Sequence, residues 1–267
     1  MAGFDRWSIE AIGSPLAVRV DFHEEIGSTQ ERARELARAG AQHGTLVISK
    51  VQKGGRGRLG RAWGSPPGGL WMSLLLRPDL PARFAPRVTQ AAAVGVAKAL
   101  WGFGVEARIK WPNDLLVDGR KVCGILAESS AGKAPAGRPD FVVLGVGLNA
   151  NLDPADLDVA DLDVAGREVA TVRSVLGHDA DLVELLRAIL SNLGFELGRI
   201  QGFAAILDDW RALNCTLGNL VRLERFGKVL EGRAADLTPE GALLLETPGG
   251  TVEVFEGEVE HLRQTGI

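Results

Sequence analysis

The 267-residue sequence has only two cysteines and four histidines, which limits the chemistry it can perform. The cysteines, Cys123 and Cys215, have no paired spacing, so neither a disulfide framework nor a zinc site is indicated. The histidines are scattered, and no two of them share a helix face or a strand face as metal ligation requires. We therefore expect no metal bound by protein side chains and interpret Cys123 as a buried structural thiol.

A surplus of positive charge and a membrane-length apolar segment are also missing. The formal net charge is −4 and the pI is about 5.7, which argues against a general binder of nucleic acids or membrane surfaces. Residues 1–12 mix acidic with apolar residues, unlike a signal peptide, and no run approaches the roughly 20 apolar residues that span a bilayer. We expect a cytoplasmic protein that does not associate with a membrane.

Short apolar runs alternate with helical patterns over most of the chain, which predicts an α/β fold with a mixed central sheet flanked by helices. Ser28 and Glu31 form a capping-box pattern, and Asp118-Gly119 is typical of a tight hairpin turn. Strands are predicted at 45–51, 70–76, 107–110, 115–117, 121–128 and 141–148, helices at 31–39, 84–101, 181–198 and 203–213, and loops at 130–139 and 150–168.

The last fifty or so residues change character and predict a small β-barrel. Short apolar runs near 220–224, 229–237, 242–246, 251–255 and 259–262 are separated by turns at Phe226-Gly227, Glu240-Gly241 and Pro248-Gly249-Gly250. We therefore predict a boundary near Cys215, with a first domain at 1–214 and a second at 215–267.

The segment from Lys50 to Arg61 concentrates five cations and four glycines without an acidic residue. Glycine lets a backbone approach a phosphate closely and offer its amide donors, and guanidinium groups add charge-assisted hydrogen bonds. The segment therefore predicts an anion-binding loop. A solvated basic loop is the alternative, but such a loop does not need the backbone freedom of four glycines.

Residues 55–60 also fit the dinucleotide fingerprint G-x-G-x-x-G, which must open a helix. Here the pattern runs into residues 62–69, where two prolines and three glycines prevent a helix. A Walker A loop has no support either, because no Gly-Lys-Ser or Gly-Lys-Thr follows. Phosphates, if bound, are held by a different kind of loop.

A series of short motifs runs from residue 28 to residue 149: Ser28-Thr29-Gln30; Gln52; Gly55-Arg56-Gly57-Arg58 with Gly60-Arg61 and Trp63; Lys110-Trp111-Pro112-Asn113-Asp114; Lys121 with Gly124-Ile125-Leu126; and Gly145-Val146-Gly147-Leu148-Asn149. In order and spacing this series resembles the biotin protein ligases, and the segment ending in Gly257-Glu258-Val259 and Leu262-Arg263 is similar to their terminal barrel. The resemblance implies a fold of the class II aminoacyl-tRNA synthetase and biotin ligase type with an SH3-like C-terminal β-barrel. The family's usual Ser-Thr-Asn is Ser-Thr-Gln here.

The resemblance implies a two-step reaction with ATP and biotin as substrates and Mg²⁺ carried with ATP. The biotin carboxylate attacks the α-phosphate, and a lysine of a biotin carboxyl carrier protein, or of the same domain in a carboxylase, then takes biotin from the adenylate. Attack of one anion on another needs concentrated positive charge. We expect Lys121 and Arg58 to be the catalytic residues, because Lys121 follows a rigid hairpin turn on a predicted strand.

The other site residues follow from the resemblance position by position. The biotin site is expected to consist of Ser28, Thr29, Gln30, Gln52, Arg56, Gly57, Arg58, Lys121 and Gly124. The ATP and adenylate site is expected to consist of Arg56, Arg58, Arg61, Trp63, Lys110, Asn113, Asp114, Lys121 and Asn149, with Trp63 closing the loop over the adenylate.

Three alternatives remain at this point. A related ligase or transferase for lipoate or octanoate shares the fold, but the paired arginines and the 110–114 motif favour biotin. A DNA-binding repressor is not expected, because only about twenty-five residues, not basic ones, precede Ser28. A nucleic-acid-binding module without catalysis is disfavoured by the acidic balance and the lack of interleaved aromatic residues. The patterns leave a monomer and a homodimer equally open.

Overall fold

Two β-sheets form the framework of the computed structural model, which describes residues 4–81, 84–130, 137–154, 169–225 and 228–262. The strands of the larger sheet are β1 (Arg19–Ile26), β2 (Thr45–Gln52), β3 (Leu70–Leu76), β4 (Arg108–Lys110), β5 (Asp114–Val117), β6 (Arg120–Ser129) and β7 (Val142–Leu148). Their order is β1-β2-β3-β7-β6-β5-β4. Strands β1 and β2 are parallel and the other neighbours are antiparallel, so the sheet is mixed, as predicted.

The helices of the described residues are α1 (Arg6–Glu10), α2 (Thr29–Arg38), α3 (Pro86–Gly102), α4 (Val172–Leu176), α5 (Leu182–Gly198) and α6 (Phe203–Leu213). The alanine-rich α3 is buried over most of its length and packs against α5 and α6. At Gly95 a Cβ atom would lie 3.1 Å from the backbone nitrogen of Leu193, so glycine allows α3 and α5 to approach closely. None of these helices is long and apolar enough to cross a membrane.

Strand β3 shows how the sequence forms the centre of the sheet. Its seven residues are all buried, as expected for a central strand covered on both faces. Six of them are apolar, and Ser73 is the one polar residue among them. The turn at Asp118-Gly119, which joins β5 to β6, has φ values of 50° and 77° and confirms the predicted hairpin.

The C-terminal residues form a separate antiparallel sheet. Its strands are β8 (Leu220–Arg225), β9 (Lys228–Leu237), β10 (Leu243–Thr247), β11 (Gly250–Val254) and β12 (Glu258–His261), in the order β11-β10-β9-β8-β12. The expected small C-terminal β-unit is therefore present. It is tied to the larger part of the chain by a two-pronged contact of Arg211 with Asp236, at 2.8 and 3.0 Å, and by the Trp111 amide, which donates to Thr216 Oγ1 at 2.9 Å.

Some elements differ from the sequence predictions. The short helices α1 and α4 and the edge strand β1 were not predicted. Helix α2 begins at Thr29 rather than Glu31, and only half of the predicted capping box forms. Ser28 Oγ accepts from the Glu31 amide at 3.4 Å, but the Glu31 carboxylate pairs with Arg56. Most of the predicted loops at 130–139 and 150–168, and the turn at 226–227, lie outside the described residues.

A buried carboxylate joins the packed helices. Glu196 on α5 is fully buried and accepts from Lys98 Nζ at 2.9 Å and from Arg199 Nε at 2.8 Å. Replacing Glu196 with alanine leaves Lys98 and Arg199 with Asp209 but removes their buried partner and opens a cavity, so we expect the free energy of unfolding to fall by about 2–3 kcal/mol. Urea denaturation measures the change.

A matched control lies on the same helix. Glu184 pairs with Arg187 at 3.4 Å, and its side chain is 57% exposed. Glu184→Ala is expected to cost less than about 1 kcal/mol, as exposed ion pairs contribute little. Equal losses in the two variants would contradict a structural role for the buried contact.

Candidate active site

A cavity of about 540 Å³ opens between the two sheets. Its wall includes the N-terminus of α2, the loop between β2 and β3, the β5–β6 hairpin, β7, and strands β8 and β12 of the C-terminal sheet. All residues to which the resemblance assigns a role line this cavity: Ser28, Thr29, Gln30, Gln52, Arg56, Gly57, Arg58, Arg61, Trp63, Lys110, Asn113, Asp114, Lys121, Gly124 and Asn149. The fold therefore brings the separate motifs together, and their roles in binding remain predictions.

One end of the cavity carries hydrogen-bonding side chains from α2 and β2. The Thr29 amide and hydroxyl both lie next to Gln52 Oε1, at 2.8 and 3.0 Å. Gln52 Nε2 donates to Ser65 Oγ at 2.9 Å, which fixes the orientation of its amide. The Gln30 amide nitrogen donates to Glu128 and to the Val143 carbonyl, so its donors are used within the protein.

Two glycines on neighbouring strands form a flat floor under Trp63. Gly124 on β6 pairs with Gly147 on β7. A Cβ atom at Gly147 would lie 2.6 Å from Trp63 Nε1, and one at Gly124 would lie 2.9 Å from Trp63 Cζ3. Only a surface without side chains admits the indole ring this closely. The loop residue Trp63 therefore lies directly over β7 and over β6, the strand that carries Lys121 and Gly124.

Three cations of the cavity are held by carboxylates. Lys121 Nζ lies 2.8 Å from Asp114 Oδ1 and 4.9 Å from the centre of the Trp63 ring. Arg56 pairs with Glu31 at 2.7 Å, and Arg61 pairs with Glu258 of the C-terminal sheet. An incoming anion therefore competes with these carboxylates for the cations.

Arg58 differs from the other cations of the cavity. Its Nη1 donates to the Asn113 side-chain carbonyl at 3.2 Å and to the Gly257 backbone carbonyl at 3.1 Å. Among the described residues, no carboxylate lies within ion-pair distance of it. Burial lowers the pKa of Arg58, although the field of Asp114 and Glu258 opposes that shift. A desolvated guanidinium that donates only to neutral carbonyls is well suited to receive an anion.

Two asparagines of the predicted ATP site brace the backbone around the cavity. Asn113 Nδ2 donates to the Ile125 carbonyl at 2.6 Å, which links the turn before β5 to strand β6. Asn149 Nδ2 lies 3.3 Å from the Ala170 carbonyl and 3.4 Å from the Lys121 carbonyl. Lys110 and Trp111 are buried in the same wall. The Asn149 contact holds the backbone at Lys121, and the Asn113 contact orients the side-chain carbonyl that accepts from Arg58.

Several lining residues were missed by the sequence analysis. Ser73 lines the cavity from the middle of β3, and the C-terminal sheet contributes Arg222, Glu224, Glu258 and Glu260. The signal for Ser73 was a single hydroxyl within an otherwise apolar strand. No local signal marks the C-terminal residues, because their place depends on how the two sheets pack.

Cys123 is a structural thiol, as expected. It is completely buried between Lys121 and Gly124, and burial raises its pKa far above the ordinary value. Burial therefore disfavours the thiolate, as befits a structural cysteine and not a nucleophile.

Known proteins resemble this chain over nearly its whole length. Residues 23–149 match the biotin/lipoate A/B protein ligase family, and residues 216–262 match the biotin protein ligase C terminal domain. The bifunctional ligase/repressor BirA of Bacillus subtilis is 36% identical over 246 residues, covering 90% of this chain and 73% of that protein. The biotin–[acetyl-CoA-carboxylase] ligase of Paracoccus denitrificans is 32% identical, covering 87% of this chain and 96% of that protein.

Solved structures give the same result. The biotin protein ligase from Aquifex aeolicus in complex with biotin and ATP has a TM-score of 0.75 and 28% identity, and the match covers 93% of this chain and all of that chain. The ligase from Leishmania major in complex with biotinyl-5-AMP has a TM-score of 0.61 at 21% identity, covering 92% of this chain and 99% of that chain. The second match supports the fold alone.

Proposed function

Because this chain belongs to the biotin protein ligases, a family of enzymes, we propose that it activates biotin with ATP and transfers it to a lysine of a biotin carboxyl carrier protein or domain. The Aquifex aeolicus ligase, which has a similar structure, was solved with biotin and ATP. The name of the Paracoccus denitrificans relative specifies acetyl-CoA carboxylase as the acceptor. Both observations support these substrates for the present chain.

The proposal rests on one observation: the two ends of a single cavity differ in chemistry, one being polar and uncharged and the other positively charged. At one end, Gln52 and Thr29 present oriented oxygen atoms to the cavity. At the other, Arg58 is a partly desolvated cation with no carboxylate partner among the residues that the structure describes, and Lys121 projects from strand β6 beside a β-bulge. This division suits a molecule with a polar, uncharged ring at one end and an anion at the other, as in biotin.

The first step joins two anions. A carboxylate oxygen of biotin attacks the α-phosphorus of ATP, the bond from that phosphorus to the bridging oxygen breaks, and pyrophosphate leaves with the electron pair. Lys121 and Arg58 act by holding the carboxylate and the phosphate together and by stabilising the negative charge that builds up between them. Arg56 and Arg61 exchange their carboxylate partners for phosphate oxygens in this proposal.

Magnesium is carried into the site with ATP in this proposal, and the residues present suit it. Magnesium is typically bound through one or two carboxylates together with substrate phosphates. Asp114 lines the cavity beside Lys121 and supplies such a carboxylate. The ion would neutralise phosphate charge.

The second step transfers the acyl group. A neutral lysine amine of the acceptor attacks the acyl carbon of biotinyl-5′-AMP, the bond from that carbon to the phosphate oxygen breaks, and AMP leaves as the amide forms. The adenylate is sensitive to water, so the intermediate needs a cover between the two steps. We propose that Trp63 and the glycine-rich loop provide it, because the ring already lies over Gly124 and Gly147.

A transfer assay tests the complete reaction. Purified enzyme is incubated with ATP, magnesium, biotin and a recombinant biotin carrier domain, and intact-mass spectrometry follows the acceptor. We expect a mass gain of one biotinyl group that disappears when the acceptor's target lysine is replaced by arginine. A gain with lipoate or octanoate and none with biotin would assign the chain to the other branch of the superfamily.

A further inference from the structure

A chain of hydrogen bonds runs beneath the cavity from Glu128 to Thr29, and the structure fixes the direction of its protons. Gln30 Nε2 lies 2.9 Å from Glu128 Oε2 and 3.1 Å from the Val143 carbonyl oxygen. Carboxylate and carbonyl oxygens only accept, so both amide protons of Gln30 are donated there. The amide cannot be turned round without placing two acceptors against each other. Gln30 Oε1 therefore faces Ser73 as an acceptor.

Ser73 is the next residue in this chain of hydrogen bonds, and its hydroxyl has one proton to donate. Its Oγ lies 3.0 Å from Gln30 Oε1, which can only accept, so Ser73 donates to Gln30. Thr29 Oγ1 lies 2.9 Å from Ser73 Oγ and 3.0 Å from Gln52 Oε1. Since the Ser73 proton is committed to Gln30, the Thr29 proton goes either to Ser73 or to Gln52. In both arrangements the Thr29 hydroxyl proton is donated within the protein, so Thr29 Oγ1 presents only lone pairs to the cavity.

We infer that Ser73 and Glu128 are positioning residues for biotin, which act through Gln30 to keep the Thr29 hydroxyl a hydrogen-bond acceptor for a ureido N–H group. This inference rests on the proposed function, since it takes biotin as the ligand. Gln52 Oε1 is likewise an acceptor, because the Thr29 amide donates to it at 2.8 Å. Lipoate and octanoate have no N–H group, so they would leave the Thr29 lone pairs without a donor, and sites built to pair with a substrate N–H discriminate strongly against analogues that lack it.

The packing around these hydrogen bonds leaves little room for the Gln30 and Ser73 side chains to move. Ser73 is 1% exposed and pairs across the sheet with Gly145, where a Cβ atom would lie only 2.6 Å from Gln30 Oε1. A side chain at Gly145 would therefore displace the Gln30 amide. At the far end, Arg34 Nη1 lies 3.5 Å from Glu128 Oε1 and holds the carboxylate that receives the Gln30 proton.

Removing the Ser73 hydroxyl tests the inference. In Ser73→Ala, Gln30 Oε1 loses its donor and the Thr29 hydroxyl loses one of its two acceptors, which leaves its proton less firmly held by Gln52 Oε1. We therefore expect the Kd for biotin to rise about tenfold in isothermal titration calorimetry. Ser49→Ala is the matched control, because Ser49 is equally buried on the adjacent strand β2 and donates to the Val51 carbonyl at 2.7 Å. The control should bind biotin as the parent enzyme does.

Two biotin analogues, each with one ureido N–H replaced by oxygen, distinguish positioning from general damage to the fold. The parent enzyme should bind at least one of them about tenfold more weakly than biotin, since two acceptors would face each other. In Ser73→Ala this difference should shrink to about threefold or less, because the Thr29 proton is then held by Gln52 Oε1, which already accepts from the Thr29 amide, and can turn to the ring oxygen of the analogue. Glu128→Gln should shrink it too, though less, because the new amide can donate to a turned Gln30 while the Val143 carbonyl still opposes the turn. Glu128 is partly exposed, so this variant tests the idea even if Ser73→Ala folds poorly.

The outcomes separate this inference from the proposed function. Equal affinity of Ser73→Ala, Glu128→Gln and the parent enzyme for biotin would overturn the positioning role alone. If the two variants bind both analogues more weakly than biotin by the same factor as the parent enzyme does, that result would also overturn the positioning role. A parent enzyme that does not bind biotin would overturn the proposed function, and the inference with it.

Discussion

Replacing Lys121 with alanine is expected to lower the rate of biotin-dependent ATP–pyrophosphate exchange about a thousandfold. Lys121 projects from β6 just after the Asp118-Gly119 hairpin, so its backbone is held more firmly than that of the loop cations. Its ammonium group lies at the cavity wall, 2.8 Å from Asp114. Without it, the biotin carboxylate and the α-phosphate meet with less of the charge that offsets their repulsion.

Arg120→Ala is the matched control for this variant. Arg120 is the adjacent residue, does not line the cavity, and lies 4.0 Å from the exposed Asp118 carboxylate. We expect its exchange rate to stay within about twofold of the parent, since exposed pairs contribute little. Thermal melting confirms that both variants are folded. A Lys121→Ala enzyme that keeps more than about a third of the parental rate would contradict the assignment.

The second large effect is expected at Arg58. Arg58→Ala should lower the kcat/KM for ATP in the exchange reaction about a hundredfold, because a desolvated donor to the developing phosphate charge is lost. The structure motivates this choice over Arg56 and Arg61, whose guanidinium groups are already paired with Glu31 and Glu258. Among the described residues, Arg58 donates to the carbonyl oxygens of Asn113 and Gly257 and has no carboxylate partner.

Arg58→Lys separates charge from geometry. Lysine keeps the charge but not the planar fork of donors, so we expect a loss of about tenfold, between the parent and the alanine variant. Steady-state kinetics with varied ATP gives KM and kcat separately. Equal activity of the alanine variant and the parent would show that Arg58 holds the C-terminal sheet through Gly257 and does not act on the phosphate.

The sequence predicted the parts of the fold that local patterns determine. Apolar runs located β2, β3 and β7, and Asp118-Gly119 located the hairpin that carries Lys121. The edge strand β1 was missed because its acidic and basic residues interrupt the apolar pattern, and its single parallel partner, β2, lies beyond helix α2. Strand order was not predictable either, since it depends on contacts between distant segments.

The candidate site was predictable where short motifs carry it. Every residue assigned by the resemblance lines the cavity, because the motifs lie at the start of α2, in the loop after β2, in the turn before β5, and on β6 and β7, and all of these face it. The partners of those residues were not predictable. Glu31 was expected to complete a helix cap and instead pairs with Arg56, while Glu258 reaches Arg61 from the C-terminal sheet. Such pairings are decided by packing and by competition between partners, which the local sequence does not encode.

The most direct test of the account is ATP–pyrophosphate exchange by the purified protein with magnesium, supplied with biotin, lipoate, octanoate or no acid. We expect exchange with biotin alone, because the Thr29 hydroxyl, held as an acceptor, requires an N–H donor and the cations at Lys121 and Arg58 require a carboxylate. Exchange supported by lipoate or octanoate and not by biotin, or no exchange with any acid, would contradict it.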